Sequence, residues 1–303
     1  MAEPANDPPP PGSAERPPSG LTRLSDRVRR IVAPNPSPFT FTGTCVYIVG
    51  EGEVAVVDPG PADPAHLDAL LAAIPGERIA RVVVTHSHRD HAAGAALLKR
   101  LTGARIIGAR APVAAGDAAG RADASQAVDY APDEALEDGA RVAGRGFTLE
   151  AVATPGHAAN HLCFALIEEN ALFSGDHVMA WSTSAVAPPD GSMRDYLASL
   201  EKVARRSEAI YWPGHGGPVR GDPQRYVRAL ISHRRQREAA ILARLEAGEA
   251  SVAEIVARVY PGLAPALVAA ARLSTLAHLE DLTERGLASS DGAIALEARF
   301  RRA

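Results

Sequence analysis

Residues Thr85–His91 read THSHRDH and directly follow the apolar run Arg81–Val84. The run predicts a buried β-strand, so the side chains after it sit on a loop at the strand's C-terminal end. His86, His88, Asp90 and His91 fall within six residues. Neutral imidazoles and a carboxylate at this density suit a divalent transition metal. In extended chain, residues i and i+2 share a face, so His86 and His88 can grip one ion. The text then turns helical, which carries Asp90 and His91 to a neighbouring position. That spacing suits two adjacent ions better than one.

Working outward, three more pieces match. TPGH supplies His157, FSGD supplies Asp176 and YWPGH supplies His215, each straight after a β run. A lone histidine on such a loop reads as an ordinary surface or core residue. Metal-ligand residue types delivered at four strand ends read as one site. A carboxylate can bridge two cations, and Asp176 is the natural candidate.

The rest of the chain sets the frame. Its 303 residues are enough for one large domain or two, and a hydrophobic fraction of 46% excludes a wholly disordered or fibrous protein. With 32 basic against 36 acidic residues the net charge is −4, which excludes a strongly basic nucleic-acid glue. Residues 1–20 are Pro-rich and read as a disordered tail. They hold no signal-like apolar stretch, no run of about 18 apolar residues follows, and the expectation is a cytoplasmic protein with no membrane span. Cys45 and Cys163 each sit in an apolar β run and read as buried reduced thiols, with one disulfide between them as the alternative. Strands and helices alternate from residue 21 to 222, giving an α+β domain. Residues 223–247 read as one Arg-rich connecting helix. Residues 248–303 follow in the order helix, helix, helix, hairpin, the order of a small winged-helix module.

The set HxHxDH, TPGH, SGD and PGH resembles the metallo-β-lactamase superfamily over residues 28–247. The resemblance implies an αββα sandwich with the metal site at the edge of two sheets. It implies that His86, His88 and His157 bind a first metal and Asp90, His91 and His215 a second, with Asp176 bridging. Asp58, in VVDPG, matches a family motif and is expected to hold a ligand histidine by hydrogen bond; as residue type alone it suits a turn before Pro-Gly. The implied activity is that of a dinuclear metal-dependent hydrolase, zinc being the first choice of metal. A metal-bridging hydroxide would be the nucleophile, and Asp90 would orient it and accept a proton. THSHRDHAAG, DYLASL and SHRRQRE ahead of a winged-helix tail are similar to the β-lactamase-like protein 2 group, whose animal member cuts single-stranded RNA with zinc. That similarity puts a phosphodiester substrate first. An ester or thioester hydrolase of hydroxyacylglutathione hydrolase type is the alternative. A third reading, from another class, is a winged-helix nucleic-acid-binding regulator whose metal site is structural.

The substrate contacts are not assigned from sequence. Residues 181–192, WSTSAVAPPDGS, follow Asp176 and are expected to form a pocket rim, with Trp181 and Ser182 as candidates for substrate contact. Arg228, Arg234, Arg235 and Arg237 form either a phosphate-facing track or a salt-bridged face. Arg89 either meets an anionic substrate or pairs with a carboxylate. His161 is either a support for the site or a core residue, and His177 either lines the pocket or packs locally. His66 and His278 are expected on solvated helix faces. Residues 250–298 carry three arginines against six carboxylates. Phosphate binding needs the reverse. Sequence-specific DNA binding is therefore not expected; the module is expected to pack on the catalytic domain or form a homodimer contact.

Overall fold

The computed structural model describes residues 15–110, 126, 127 and 129–303. Most of the predicted Pro-rich tail lies outside the described residues. Its last few residues are placed: Pro17 is buried and the Arg16 guanidinium lies 4.6 Å above the Phe41 ring.

Seven strands form the first sheet in sequential order: β1 (Thr22–Arg23), β2 (Val28–Val32), β3 (Cys45–Val49), β4 (Glu53–Val57), β5 (Arg78–Val84), β6 (Arg105–Gly108) and β7 (Glu134–Ala135). Helices α1 (Pro64–Ala72) and α2 (Arg89–Thr102) cross between its parallel members β4, β5 and β6. The second sheet holds β8 (Arg141–Gly144), β9 (Phe147–Ala153), β10 (Leu162–Leu166), β11 (Ala171–Gly175) and β12 (Ile210–Pro213), with β11 and β12 parallel. Helix α3 (Met193–Val203) precedes β12 and α4 (Pro223–Glu246) follows it.

Strand periodicity sorts the core into layers. Along β3, Cys45, Tyr47 and Val49 face the second sheet and pack with Phe164 and Phe173. Val46 and Ile48 point the other way, onto Leu67 and Leu98 of α1 and α2. In the second sheet Cys163, Ala165 and Leu172 turn outward onto Tyr196 of α3 and Leu230 of α4. Both faces of each sheet are covered, which is why these strands read as unbroken apolar runs. The result is the expected αββα sandwich. Both cysteines are free and buried, and burial pushes their thiols up, to about 11 for Cys45 and about 12 for Cys163.

The C-terminal segment contains β13 (Ala250–Ser251), α5 (Val252–Val259), α6 (Val268–Glu284), β14 (Ala288–Ser290) and β15 (Arg299–Arg302). Ser251 and Glu254 cap α5 reciprocally, worth about 1 kcal/mol. The structure differs from the sequence reading here. The last two of its three expected helices are one, α6, because nothing between Leu273 and Ser274 breaks a helix. The missing helix is the end of α4, whose Ile241 and Leu245 pack with Ile255, Leu279 and Phe300. Helix α6 is held to the sandwich by Arg194, which reaches Asp281 at 3.1 Å and Glu284 at 2.7 Å. Among the described residues no helix is long and apolar enough to cross a membrane.

Candidate metal centre

The C-terminal ends of β4, β5, β9, β11 and β12 converge at one edge of the sandwich. Asp58 follows β4 with φ +49°, in the left-handed region that Asp tolerates better than most residues. Its carboxylate accepts from the Thr85 backbone N–H and hydroxyl, both at 2.8 Å, and from His91 Nδ1 at 2.9 Å. His86 follows β5; His88 stands at the N-cap of α2, and Asp90 lies in its first turn. His157, Asp176 and His215 follow β9, β11 and β12. All seven side chains come together, in three overlapping groups: His86, His88 and His157; His86, His91 and Asp176; Asp90, His91 and His215.

Each imidazole commits one nitrogen to an acceptor outside the cluster. His91 donates to Asp58, His215 to Gly43 O at 3.2 Å and His157 to Ala185 O at 2.6 Å. His88 Nε2 donates to Asp190 at 3.0 Å. His86 Nδ1 meets the Thr85 hydroxyl at 2.9 Å, and that hydroxyl's proton goes to Asp58. The remaining five nitrogens therefore face inward. His88 Nδ1 lies 3.0 Å from both His86 Nε2 and His157 Nε2, and His91 Nε2 lies 3.2 Å from His215 Nε2. Asp90 Oδ2 is 3.2 Å from His215 Nε2, and the Asp176 oxygens lie 3.4 to 3.6 Å from His91, His215 and His157. Donors about 2.1 Å from a shared tetrahedral cation lie about 3.4 Å apart, so these spacings fit such an ion. Asp176 Oδ1 is buried without a hydrogen-bond partner. A Cβ on Gly214 would come within 2.5 Å of it, so only glycine leaves this space open.

Electrostatics divides the cluster. Burial, reinforced by neighbouring histidines, pushes His86 far down and His157 to about 4. Burial also opposes the charge on His91 and His215, but carboxylates overcome it. Asp90, Asp176 and Asp58 hold His91 well up, and Asp176 and Asp90 raise His215 to about 9. Despite burial, His215 and His91 keep the Asp176 carboxyl well below its usual range, and the same two histidines do so for Asp90.

Asp190 escaped the sequence reading. It holds His88, accepts from Gln126 Nε2 at 2.9 Å and takes the Ala159 N–H at 3.0 Å. It is the lone carboxylate in the stretch 181–192, a signal that was there to read. Ser184, in the same stretch, donates to the Asp176 carbonyl, and its own carbonyl accepts from Arg234. His161 supports the site: its Nε2 accepts from Asp176 N at 3.2 Å while Nδ1 meets Thr154. His177 packs on Tyr196, with ring centroids 5.2 Å apart. His66 and His278 are buried, against expectation. His66 Nε2 meets Pro59 O at 3.0 Å, because α1 lies with that face on the loop after β4. His278 faces the body because α6 packs there.

Beside the cluster opens a pocket of about 960 Å³. His88, Asp90, His157, Asp176 and His215 form its floor, and Arg89 reaches it too. The expected rim is there, from Trp181 to Asp190, with Trp181 stacked on Phe41 at 4.9 Å. The far wall comes from the C-terminal segment: Tyr260, Leu263, Leu267, Ala270 and Ser274.

Fold and site together define a hydrolase with candidate metal-binding His/Asp groups, and the family comparison agrees. Residues 39–215 match the model of the Metallo-beta-lactamase superfamily and residues 251–296 that of the Beta-lactamase associated winged helix domain. The chain belongs to the metallo-β-lactamase superfamily. It is 34% identical over 226 residues to a Beta-lactamase-like protein 2 homolog of Caenorhabditis elegans, covering 73% of this chain and 72% of that one. It is 33% identical over 234 residues to an Atrochrysone carboxyl ACP thioesterase of Aspergillus fumigatus, covering 74% of this chain and 66%, just under two thirds, of the relative. A metallo-beta-lactamase family protein of Thermus thermophilus superposes with a TM-score of 0.76 at 25% identity, over 93% of this chain and all of that one.

Proposed function

We propose that this chain hydrolyses carboxylic thioesters or esters at a centre of two divalent cations, zinc first. His86, His88 and His157 would hold one cation, Asp90, His91 and His215 the other, and Asp176 both. Two such ions would supply a hydroxide near neutral pH and draw charge from the scissile carbonyl. Asp58 and Asp190 fix the tautomers of His91 and His88, so their free nitrogens stay aimed inward. Asp90 stays ionised beside His215 and, at 29% exposure, reaches the pocket. It would orient the attacking water and take up its proton for delivery to the leaving group.

The observation that carries the choice of substrate is the wall of the pocket. It is largely apolar, with Phe39, Met179, Trp181, Leu263 and Leu267 around the floor of ligands. Three of the four arginines expected to track phosphates are engaged elsewhere. Arg235 pairs with Glu201 at 2.8 Å, Arg228 reaches Asp222 at 4.0 Å and Arg234 is buried under Ser184. The fourth, Arg237, donates to Val259 O at 2.7 Å and lines a separate concavity. Helix α6, the position of a recognition helix, is buried against the sandwich and lines the pocket, which speaks against a DNA-binding regulator. That one relative is named a thioesterase supports the same reading.

The test sets two substrates side by side with zinc-loaded protein and Asp90→Ala. Hydrolysis of an aryl thioester by the wild type, lost in the variant, is the expected result. Cleavage of end-labelled single-stranded RNA that the variant also loses, with the thioester untouched, would overturn it.

A further inference from the structure

A second concavity, of about 880 Å³, opens between the last turns of α4 and the turn after α5. Tyr260 and Leu263 line both it and the metal-facing pocket, so the two are neighbours there. Its wall carries Arg237, Arg244 and Arg258. None of the three takes part in an ion pair among the described residues. Two are steadied by uncharged groups: Arg237 by Val259 O and the Tyr260 ring, 4.5 Å below its guanidinium, and Arg244 by Gly248 O at 2.9 Å. Arg237 and Arg244 lie two turns apart on one face of α4. Arg228 and Arg235, on another face, have carboxylate neighbours. The two α4 guanidinium groups that line this groove thus have no carboxylate partner among the described residues. In a protein of net charge −4, that is a local site for anions.

Resting on the thioester reading of the metal centre, we propose that this groove binds the phosphates of the thiol leaving group, making the substrate an acyl thioester of a nucleotide-bearing thiol of coenzyme A type. The acyl carbon would lie over the ligand cluster, the thiol's arm would pass Tyr260 and Leu263, and the phosphates would meet the three guanidinium groups. Guanidinium forks match phosphate oxygens in geometry and charge. Water adds to the carbonyl carbon, the C–S bond breaks, one of the water's protons leaves on the thiol, and the acyl group departs as carboxylate with the other proton released to solvent. An RNA strand also offers phosphates, but it would need cations along the whole path. Here the metal-facing pocket is largely apolar, with Leu263, Leu267 and Met179 beside only Arg89 and Arg234 as guanidinium groups among the described residues.

The experiment compares S-benzoyl coenzyme A with S-benzoyl-N-acetylcysteamine, which has the same acyl group and no phosphate. Wild type and Arg244→Gln/Arg258→Gln are assayed, and coenzyme A itself is titrated into both by calorimetry. The coenzyme A thioester should have the higher kcat/KM by about tenfold, mainly through KM, and the double variant should lose that advantage. Hydrolysis of the short thioester should not change, and coenzyme A should bind the variant about tenfold more weakly. Equal kcat/KM for both thioesters, with no coenzyme A binding, overturns the groove and leaves the hydrolase reading standing. Coenzyme A binding that depends on the arginines, without cleavage of either thioester, overturns the hydrolase reading and with it the leaving-group assignment. Binding of a single-stranded RNA 12-mer that depends on the arginines, with none of coenzyme A, overturns the proposal in favour of a polynucleotide.

Discussion

The trio His86, His88 and His157 and the trio Asp90, His91 and His215 meet around Asp176 but differ in charge. In the first, burial and neighbouring imidazoles outweigh Asp176, which lies 3.6 Å from His157, and His86 and His157 stay neutral. In the second, Asp90, Asp176 and Asp58 surround two imidazoles and keep them protonated past neutral pH. The same residue type answers to burial in one place and to carboxylates a few ångströms away. In the first set His86 and His157 offer a cation lone pairs with no proton to shed. The second offers negative charge but must release protons first.

The comparison breaks most completely at Asp176. Asp176→Ala should remove the shared carboxylate and lower kcat at least about 1000-fold, read as thioester hydrolysis alongside metal content. The halves separate one step down. Asp90→Ala should reduce bound metal from about two ions per chain to about one, measured by elemental analysis, with activity falling about 100-fold. Asp190→Ala acts on the first trio alone, through His88, and should weaken metal binding there by about 10- to 100-fold while leaving the other half loaded. The charge difference itself is measurable. Loading the metal-free protein at pH 7 should release protons from His91 and His215, about one or two per chain, seen as a buffer-dependent calorimetric enthalpy. Release of none would mean that the two halves are electrostatically alike.

The smallest effect lies outside the cluster. His278 has no carboxylate among its perturbing neighbours; burial, then Arg234 and Arg285, push it down to about 3. The unfolded chain, with an ordinary value of about 6.5, takes up this proton first. The stability is therefore complete above about pH 6.5 and declines as pH falls toward 3, by at most about 1.4 kcal/mol per unit. His278→Leu should flatten that decline in urea titrations at pH 7 and pH 5. An unchanged difference between the two pH values would show that His278 does not follow the rule of the first trio.

The sandwich and the cluster are largely legible in the sequence, because the central strands are apolar runs and every candidate ligand stands within seven residues of a strand's end. THSHRDH is contiguous, and its geometry follows from a strand turning into a helix. Asp190 was not legible in the same way, since it meets His88 across 102 positions of chain. Ser184 and Arg234 are 50 apart, and their contact exists only once α4 lies on the rim. His66 and His278 looked like surface residues because a helical pattern of small and polar residues does not say which face a neighbour will cover. The helices after residue 263 were divided for the same reason: alanine-rich text leaves no boundary, and the α4 end that completes the C-terminal core belongs to what reads as a connector.

All seven side chains of the cluster precede residue 216, whereas Tyr260, Leu263, Leu267, Ala270 and Ser274 wall the pocket from the other end of the chain. One wall of the pocket is thus written in a stretch of the gene that carries none of the cluster. Selection can retailor one jaw of the vice, residue by residue, while the cutting edge stays as it was. A lineage that keeps this division can change that wall and leave the cluster intact.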